Sequence, residues 1–483
     1  MAYPAPSLPD LGLYINGRWT SGTSGKTVDV FNPATGQLLN KLPLASAADL
    51  DAAIVAASAA FETWRDTAPL ERTKMLTHAA RLIRERSNEL AGLTTLEMGM
   101  RFPEALVLVM RAADVLEWDA NEGRRLYGRI LPSQFGLVQS IIREPIGPVA
   151  SFSPWNGSIF TPCRKIGSAL ASGCTLILKA AEETPHTAVA LVRIFEEVGV
   201  PAGVLNLVFG NPAEVSEKLI NAPEIRLVTF TGSVPIGRHL SMMAANKLKP
   251  TVMELGGHSP IIVCGDADIE DAATKLAATK YFGAGQICQA PSRVFVDSAV
   301  YDTFAKLLTD KVKTIRVGNG LDEATEMGPL FSPKRLAAVS DLIDQAVSQG
   351  AQVLAGGHRI EAPGNFYEPT ILADVPQSAD ILRDEPFGPV LALAKFNDLD
   401  EAIKAANAVD YGLAAYVFTR SASTANLLSR RLQCGMVGIN HFGVSTDGMP
   451  FGGVKDSGFG REGGVEGILN YTIAKTISHM HVA

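Results

Sequence analysis

From Val149 onward, short apolar runs alternate with stretches of helical period, and this alternation constrains the fold of the 483-residue chain more than any other feature. Strand-like runs at Val149–Phe152, Thr175–Leu178, Val204–Val208, Leu227–Phe230 and Val252–Leu255 are separated by helical segments near Ile159–Leu170, Ala188–Val198, Glu214–Leu219 and Ile236–Ala245. A strand that returns through a helix comes back parallel to its predecessor, so the pattern predicts a parallel sheet covered by helices, with ligands at the carboxyl ends of its strands. A second α/β set begins with Pro260–Val263 and Arg293–Val296 and ends near Ala414–Phe418 and Met436–Ile439, with helices at Ile269–Ala278, Tyr301–Val312 and Arg335–Val347. The chain is too long for one ordinary core. Two α/β domains joined near Gly256-Gly257 are expected.

The first hundred residues read as helical. Ser46-Ala-Ala-Asp49 has the form of a capping box before Leu50–Phe61, and a second periodic stretch runs from about Leu70 to Leu96. Between the helical start and the alternating region, Gly128–Glu144 alternates apolar and polar residues, as a two-stranded arm leaving its domain does.

The bulk properties exclude several classes. A net charge of −7 and a pI near 5.7 disfavour nucleic acid and anionic membrane surfaces, which reward clustered Lys and Arg. No apolar run approaches the roughly 18–20 residues that span a bilayer, and Met1–Trp19 lacks the basic head and apolar core of a secretory signal. A cytoplasmic protein is expected. Five widely spaced cysteines, with no CxxC, HExxH or Cys/His cluster, argue against a disulfide framework or a zinc site. Cys174 and Cys264 lie in apolar strand-like runs and read as core fillers.

Cys288 is different. It sits in Gly285-Gln286-Ile287-Cys288-Gln289-Ala290-Pro291, directly after a helical segment and Gly283-Ala-Gly285, where the backbone can approach a ligand closely. A thiolate there adds readily to a carbonyl carbon; the other reading is a buried structural thiol. Glu254 ends a strand-like run before Leu255-Gly256-Gly257, a place facing the ligand crevice in α/β folds, although such acids also cap helices or pair with Arg. Asn156, after Pro154-Trp155, is either an oxyanion donor or an ordinary turn residue. Phe230-Thr-Gly232-Ser233-Val-Pro-Ile-Gly237 places small residues at a helix start, which suits a pyrophosphate, but it lacks the middle glycine of GxGxxG. Lys179 and Glu182 suit the two hydroxyls of an adenosine ribose, or else form a solvated turn, and Glu385-Pro-Phe387-Gly-Pro389 is a rigid loop with another acid.

Taken in order, Pro154-Trp-Asn156, Lys179-x-x-Glu182, Phe230-Thr-Gly-Ser233, Glu254-Leu-Gly-Gly257, Gly285-Gln-x-Cys288, Glu385-Pro-Phe-Gly-Pro389 and Pro450-Phe-Gly-Gly453 resemble the NAD(P)-dependent aldehyde dehydrogenase superfamily. The likeness extends from Leu13-Tyr-Ile-Asn-Gly-Arg-Trp19 to the tail, and the succinate-semialdehyde branch is the nearest in appearance. It implies an α/β fold with a Rossmann-type NAD-binding domain (1–126 and 146–256), a catalytic domain (257–452), and an oligomerisation arm and tail (127–145 and 453–483). The arm is expected to pair with a strand near Tyr471–Ile477 in a homodimer or homotetramer.

The same resemblance implies Cys288 as nucleophile, Glu254 as general base, and Asn156 with the Cys288 backbone N–H as oxyanion hole, acting on a small-molecule aldehyde. Trp155, Lys179, Glu182, Gly232, Ser233, Gly237, Leu255, Glu385 and Phe387 fall at cofactor positions. The acid at 182 favours NAD over NADP, since it binds hydroxyls and repels a 2′-phosphate. Glu254 favours hydrolysis to a free acid over transfer to coenzyme A, the competing reaction; a fold retained for binding alone would not require both Cys288 and Glu254. Arg164 matches a carboxylate-binding arginine of the semialdehyde enzymes, or else is a surface ion-pair partner. Phe282 stands where those enzymes carry a second arginine, and Gly157-Ser158 replaces the usual Phe-Pro. The substrate therefore stays open among aromatic, aliphatic and semialdehyde compounds.

Overall fold

The computed structural model describes residues 1–481. Its start corrects the all-helical expectation. Residues 13–43 form four strands: β1 (Leu13–Ile15), β2 (Arg18–Thr20), β3 (Thr27–Phe31) and β4 (Leu38–Pro43). The turn between β1 and β2 is Asn16-Gly17, with φ of 50° and 73°. That left-handed pair is the geometry a two-residue hairpin requires, and Asn-Gly adopts it at least cost.

Helices follow: α1 (Ala47–Trp64), α2 (Pro69–Glu85), α3 (Ser87–Met98) and α4 (Phe102–Glu122). The expected capping box is present, with Asp49 N–H donating to Ser46 Oγ at 3.2 Å and Ser46 N–H to Asp49 Oδ2 at 2.8 Å. The periodic stretch from about Leu70 to Leu96 forms two helices, separated at Arg86. Strands β5 (Arg129–Leu131) and β6 (Leu137–Pro145) then form an antiparallel hairpin.

The first α/β unit contains β7 (Val149–Phe152), α5 (Phe160–Ser172), β8 (Leu176–Lys179), α6 (Pro185–Glu197), β9 (Leu205–Val208), α7 (Pro212–Asn221), β10 (Leu227–Thr231), α8 (Val234–Ala245) and β11 (Thr251–Glu254). Its parallel strands run β11-β10-β7-β8-β9, with β1 and β2 on the β9 edge. Both faces of β7, β8 and β9 are buried, which is why they read as unbroken apolar runs. After β9 the chain crosses back to place β10 on the other side of β7. The connections leave β7 and β10 in opposite directions, and this divergence opens a crevice at their carboxyl ends.

A second sheet is built from β12 (Ser259–Val263), β13 (Pro291–Asp297), β14 (Gln352–Ala355), β15 (Thr370–Ala373), β16 (Val390–Phe396), β17 (Ala414–Phe418) and β18 (Met436–Ile439), in the order β14-β15-β16-β13-β12-β17-β18. All its pairings are parallel except that of β14. Helix α9 (Ile269–Lys280) connects β12 to the Cys288 loop.

The stretch expected to be arm and tail divides. β19 (Gly458–Phe459) returns to the first sheet beside β11, whereas β20 (Thr472–Met480) pairs with β6 to complete a three-stranded sheet. Gly458 has φ 109°, and a Cβ there would lie 2.0 Å from the Met253 carbonyl oxygen. Gly458→Val is therefore expected to cost about 2–3 kcal/mol, read as a lowered Tm in thermal unfolding; an unchanged Tm would show that β19 is dispensable. Among the described residues no helix is long and apolar enough to cross a membrane.

Candidate active site

A cleft of about 910 Å³ lies where the topology opens the first sheet. One wall carries Trp155 and Asn156 after β7, Gly232 and Ser233 after β10, and Glu254 with Leu255 at the end of β11. The other carries Cys288 before β13 and Glu385 with Phe387 before β16. Residues distant in sequence thus converge because loops from both sheets meet at one place.

The backbone holds Cys288 in position. Gly283, Ala284 and Gly285 run left-handed, with φ of 57°, 54° and 71°. Such a run costs about 1–2 kcal/mol at the alanine and turns the chain sharply after α9. Three contacts keep it. Gly283 N–H donates to Glu104 Oε2 at 3.1 Å, and the buried Gln286 both donates from Nε2 to the Gly283 carbonyl at 3.1 Å and accepts the Phe331 N–H at 2.9 Å. Asn156 Nδ2 donates to the Gln286 carbonyl at 3.1 Å, so its amide already points at the Cys288 loop. A Cβ on Gly257 would lie 2.6 Å from the Cys288 carbonyl oxygen. The loop packs on the glycine pair too closely for any side chain.

The Cys288 thiol is half-buried. Desolvation, with the Glu254 carboxylate, pushes its pKa well above the ordinary thiol value. Glu254 is 2% exposed, and its Oε1 has no hydrogen-bond partner among the described residues. Burial, reinforced by Glu462, raises its pKa to about 8 against the opposing pull of the Cys288 thiol, Lys165 and Arg164. A buried carboxyl in the lining of a cleft, with one oxygen unpartnered, has the features of a group kept for proton transfer.

The expected cofactor residues divide. Trp155, Gly232, Ser233, Leu255, Glu385 and Phe387 line the cleft. Trp155 stacks on Phe331 at 4.1 Å and meets Phe387 edge-on at 5.9 Å. Glu385 Oε1 accepts the Gly257 N–H at 3.1 Å, and burial raises its pKa to about 7. Helix α8 begins at Ser233 without a side-chain cap, leaving its first N–H groups open to an anion.

Lys179 and Glu182 lie outside the cleft lining, at the end of β8. They bind each other at 2.5 Å, and Glu182 Oε1 also accepts the Gly210 N–H at 2.9 Å. Gly237 does not face the cleft either: a Cβ on it would strike Leu255 Cδ2 at 2.3 Å, so it serves the packing of α8 on β11. The uncapped start of α8, the small residues before it and the divergence of β7 and β10 fit a dinucleotide.

On the substrate side, Arg164 corrects the surface reading. It is 3% exposed, lines the cleft, and lies over the Phe160 ring at 4.5 Å. Phe282 lines the cleft as an apolar wall. Several lining residues carried no sequence signal strong enough to find. Glu462 accepts from Lys165 Nζ at 2.5 Å, and Lys165 also donates to Thr229 Oγ1 at 2.8 Å. Glu462 stands in Gly460-Arg-Glu462-Gly-Gly464, the same acid-among-glycines context that marks Glu254, and this was the available clue.

Comparisons with known proteins identify the family. A model of the aldehyde dehydrogenase family matches residues 19–477. The 4-(hydroxymethyl)benzenesulfonate dehydrogenase of Comamonas testosteroni is 45% identical over 97% of this chain and 98% of its own. The NADP(+) succinate-semialdehyde dehydrogenase of Escherichia coli is 41% identical over 95% of each chain. Betaine aldehyde dehydrogenase of Staphylococcus aureus, solved with NAD+, superposes with a TM-score of 0.96 at 35% identity, over 98% of this chain and 96% of its own. The chain belongs to the aldehyde dehydrogenase family. It is an enzyme of that class, whose cofactor is NAD or NADP, with semialdehyde and aromatic dehydrogenases among its relatives.

Proposed function

We propose that this enzyme oxidises an aldehyde to the free carboxylic acid, using Cys288 as nucleophile and Glu254 as the base that activates water. The observation that carries this reading is the buried Glu254 carboxyl, with its unpartnered Oε1, in the same cleft as Cys288. Cys288 releases its thiol proton to water in the cleft as Sγ bonds to the carbonyl carbon, the C=O π pair moves to the oxygen, and the charge there is met by Asn156 Nδ2–H and the Cys288 backbone N–H. A bound NAD would supply the hydride acceptor, and loss of the hydride from the carbon bonded to Sγ leaves a thioester on Cys288. Glu254 then takes a proton from water as the water oxygen attacks the thioester, and the C–S bond breaks to return the thiolate. Trp155, Gly232, Ser233, Leu255, Glu385 and Phe387 would hold the cofactor along the cleft.

The experiment is NADH formation with and without coenzyme A on a panel of succinate semialdehyde, benzaldehyde-type and aliphatic aldehydes. Turnover to the free acid without the thiol is expected; strict dependence on coenzyme A would overturn the role of Glu254. An anionic group remote from the reacting carbon appears in the names of the Comamonas and Escherichia relatives alike. The buried Arg164 supports an aldehyde of that kind here.

NAD is the preferred cofactor in this reading, because the Glu182 carboxylate disfavours a 2′-phosphate. Lys179 and the Gly210 N–H offset part of that charge, so the expected preference in kcat/KM is modest, about tenfold, and Glu182→Ser should erase it. A parent enzyme that already favours NADP would refute the repulsion argument. The β5–β6–β20 sheet exposes Ile130, Ile473, Ile477 and Met480. This supports a homodimer or homotetramer assembled through that face, and the same reading takes the enzyme to be cytoplasmic.

A further inference from the structure

Helices α4 and α5 pack against one another, and each sends one arginine into the cleft that holds Cys288: Arg111 from α4 and Arg164 from α5. Both guanidinium groups lie against the Phe160 ring, at 4.8 and 4.5 Å from its centroid. Both also converge on one residue of the opposite wall. Arg111 Nη2 donates to the Ser445 carbonyl at 2.5 Å and to its hydroxyl at 2.9 Å, and Arg164 Nη2 donates to the same hydroxyl at 3.0 Å.

The charges of this pair are under-compensated. Of the neighbouring acids, Asp114 pairs with Arg84 at 2.7 Å and Glu462 with Lys165 at 2.5 Å, while Asp119 and Glu254 attract Arg164 without an ion pair to it among the described residues, and burial raises the pKa of each to about 8. Asp447, half-buried at the rim, attracts both arginines but forms no ion pair with either among the described residues. Arg164 Nε is buried with no partner at all among the described residues. A buried arginine and a half-buried one sharing a single neutral serine are costly unless a further anion completes them. The open side of the pair faces the cleft, where an anion would find donors in fixed directions.

The two arginines differ in depth. The charge of Arg164 acts on Cys288 and Glu254, whereas Arg111 stands one helix further out, toward Asp114 and Asp447. The cleft that holds the arginines and Cys288 is also lined by the aromatic rings of Phe160, Phe282 and Phe451.

Building on the reading of Cys288 above, we propose that Arg111 is a specificity residue. It forms with Arg164 and Ser445 a seat for a terminal oxyanion of the substrate, and sets the distance between that anion and the reacting carbonyl. The substrate class is a flat aldehyde carrying a carboxylate or sulfonate at the end remote from the carbonyl. The positive charge absent at Phe282 is supplied from the α4 wall instead.

The test compares kcat/KM for 4-formylbenzenesulfonate, 4-formylbenzoate, succinate semialdehyde and neutral benzaldehyde in the parent, Arg111→Leu and Arg111→Lys enzymes. The parent is expected to favour the aryl anions over benzaldehyde. Arg111→Leu should lose about 30-fold on both aryl anions, mainly through KM, with less loss on the shorter succinate semialdehyde and less than about threefold on benzaldehyde. Arg111→Lys should recover part of the loss. The ratio of sulfonate to carboxylate in the parent identifies the preferred anion. A parent that oxidises benzaldehyde without favouring the anions overturns the seat and leaves the nucleophile assignment intact. Equal losses on charged and neutral aldehydes reduce Arg111 to a packing role and likewise overturn it. A second readout does not depend on turnover: the Cys288→Ala enzyme, titrated with 4-sulfobenzoate by tryptophan fluorescence, should bind it, and the additional Arg111→Leu change should abolish that binding. Binding unaffected by Arg111→Leu, or none before it, refutes the proposal.

Discussion

Cys288→Ala is expected to lower NADH formation by at least about 10⁴-fold while the protein still binds NAD, because removing the nucleophile leaves nothing that can form the covalent adduct. The expectation separates chemistry from architecture. Cys288 is held by its backbone and by its neighbours, through Gly283, Gln286 and the close approach to Gly257. Its Sγ carries none of these contacts, so the loop should keep its shape in the variant. Cofactor binding, followed by quenching of protein fluorescence, should change less than about threefold on this ground. Residual turnover within a factor of ten of the parent would remove Cys288 from the mechanism.

Glu254→Gln is expected to split the reaction in time. Acylation of Cys288 needs no water, so a rapid burst of about one NADH per site should precede a steady rate lowered by about 10²–10³-fold. Trapped thioester should then be visible by mass spectrometry of the intact chain as added acyl mass on Cys288. A single slow phase without a burst would show that Glu254 acts before acyl transfer. The pH dependence follows from the sign of the shift. The pKa of Glu254 is raised, to about 8, so below that pH the carboxyl is mostly protonated and cannot accept a proton from water. The parent steady-state rate should therefore climb as pH rises through about 8 and then level. The glutamine variant should lose this rise from its steady-state rate.

Much of the fold was legible because buried parallel strands leave unbroken apolar runs: β7 to β11 and β17 to β18 appear in the sequence within a residue or two of their observed ends. The hairpin of β1 and β2 was overlooked although Asn16-Gly17 announces it. Each of its strands has only three residues, too few for periodicity to register. The candidate site was legible where unusual residues stand in glycine-rich loops, as at Cys288 and Glu254, which the fold brings into one cleft. It was legible only in part where the cleft is lined from packed helices: Arg164 was singled out and Arg111 was not. Arg111 and Arg164 are 53 positions apart in sequence, and only the contact of α4 with α5 brings them onto one serine. Gly237 shows the converse: a glycine in a motif position whose work is to let a helix approach a strand.

The path of the C-terminal segment bears on how the enzyme comes into being. After β18 the chain lines the cleft with Ser445, Phe451 and Glu462, edges the first sheet at β19, and ends by pairing β20 with β6. A nascent chain emerging from the ribosome therefore carries Cys288 and Glu254 long before it can surround them. On the role proposed for Cys288, the site is incomplete until the last strands have been made and docked, so a fragment ending before β19 is expected to be inactive.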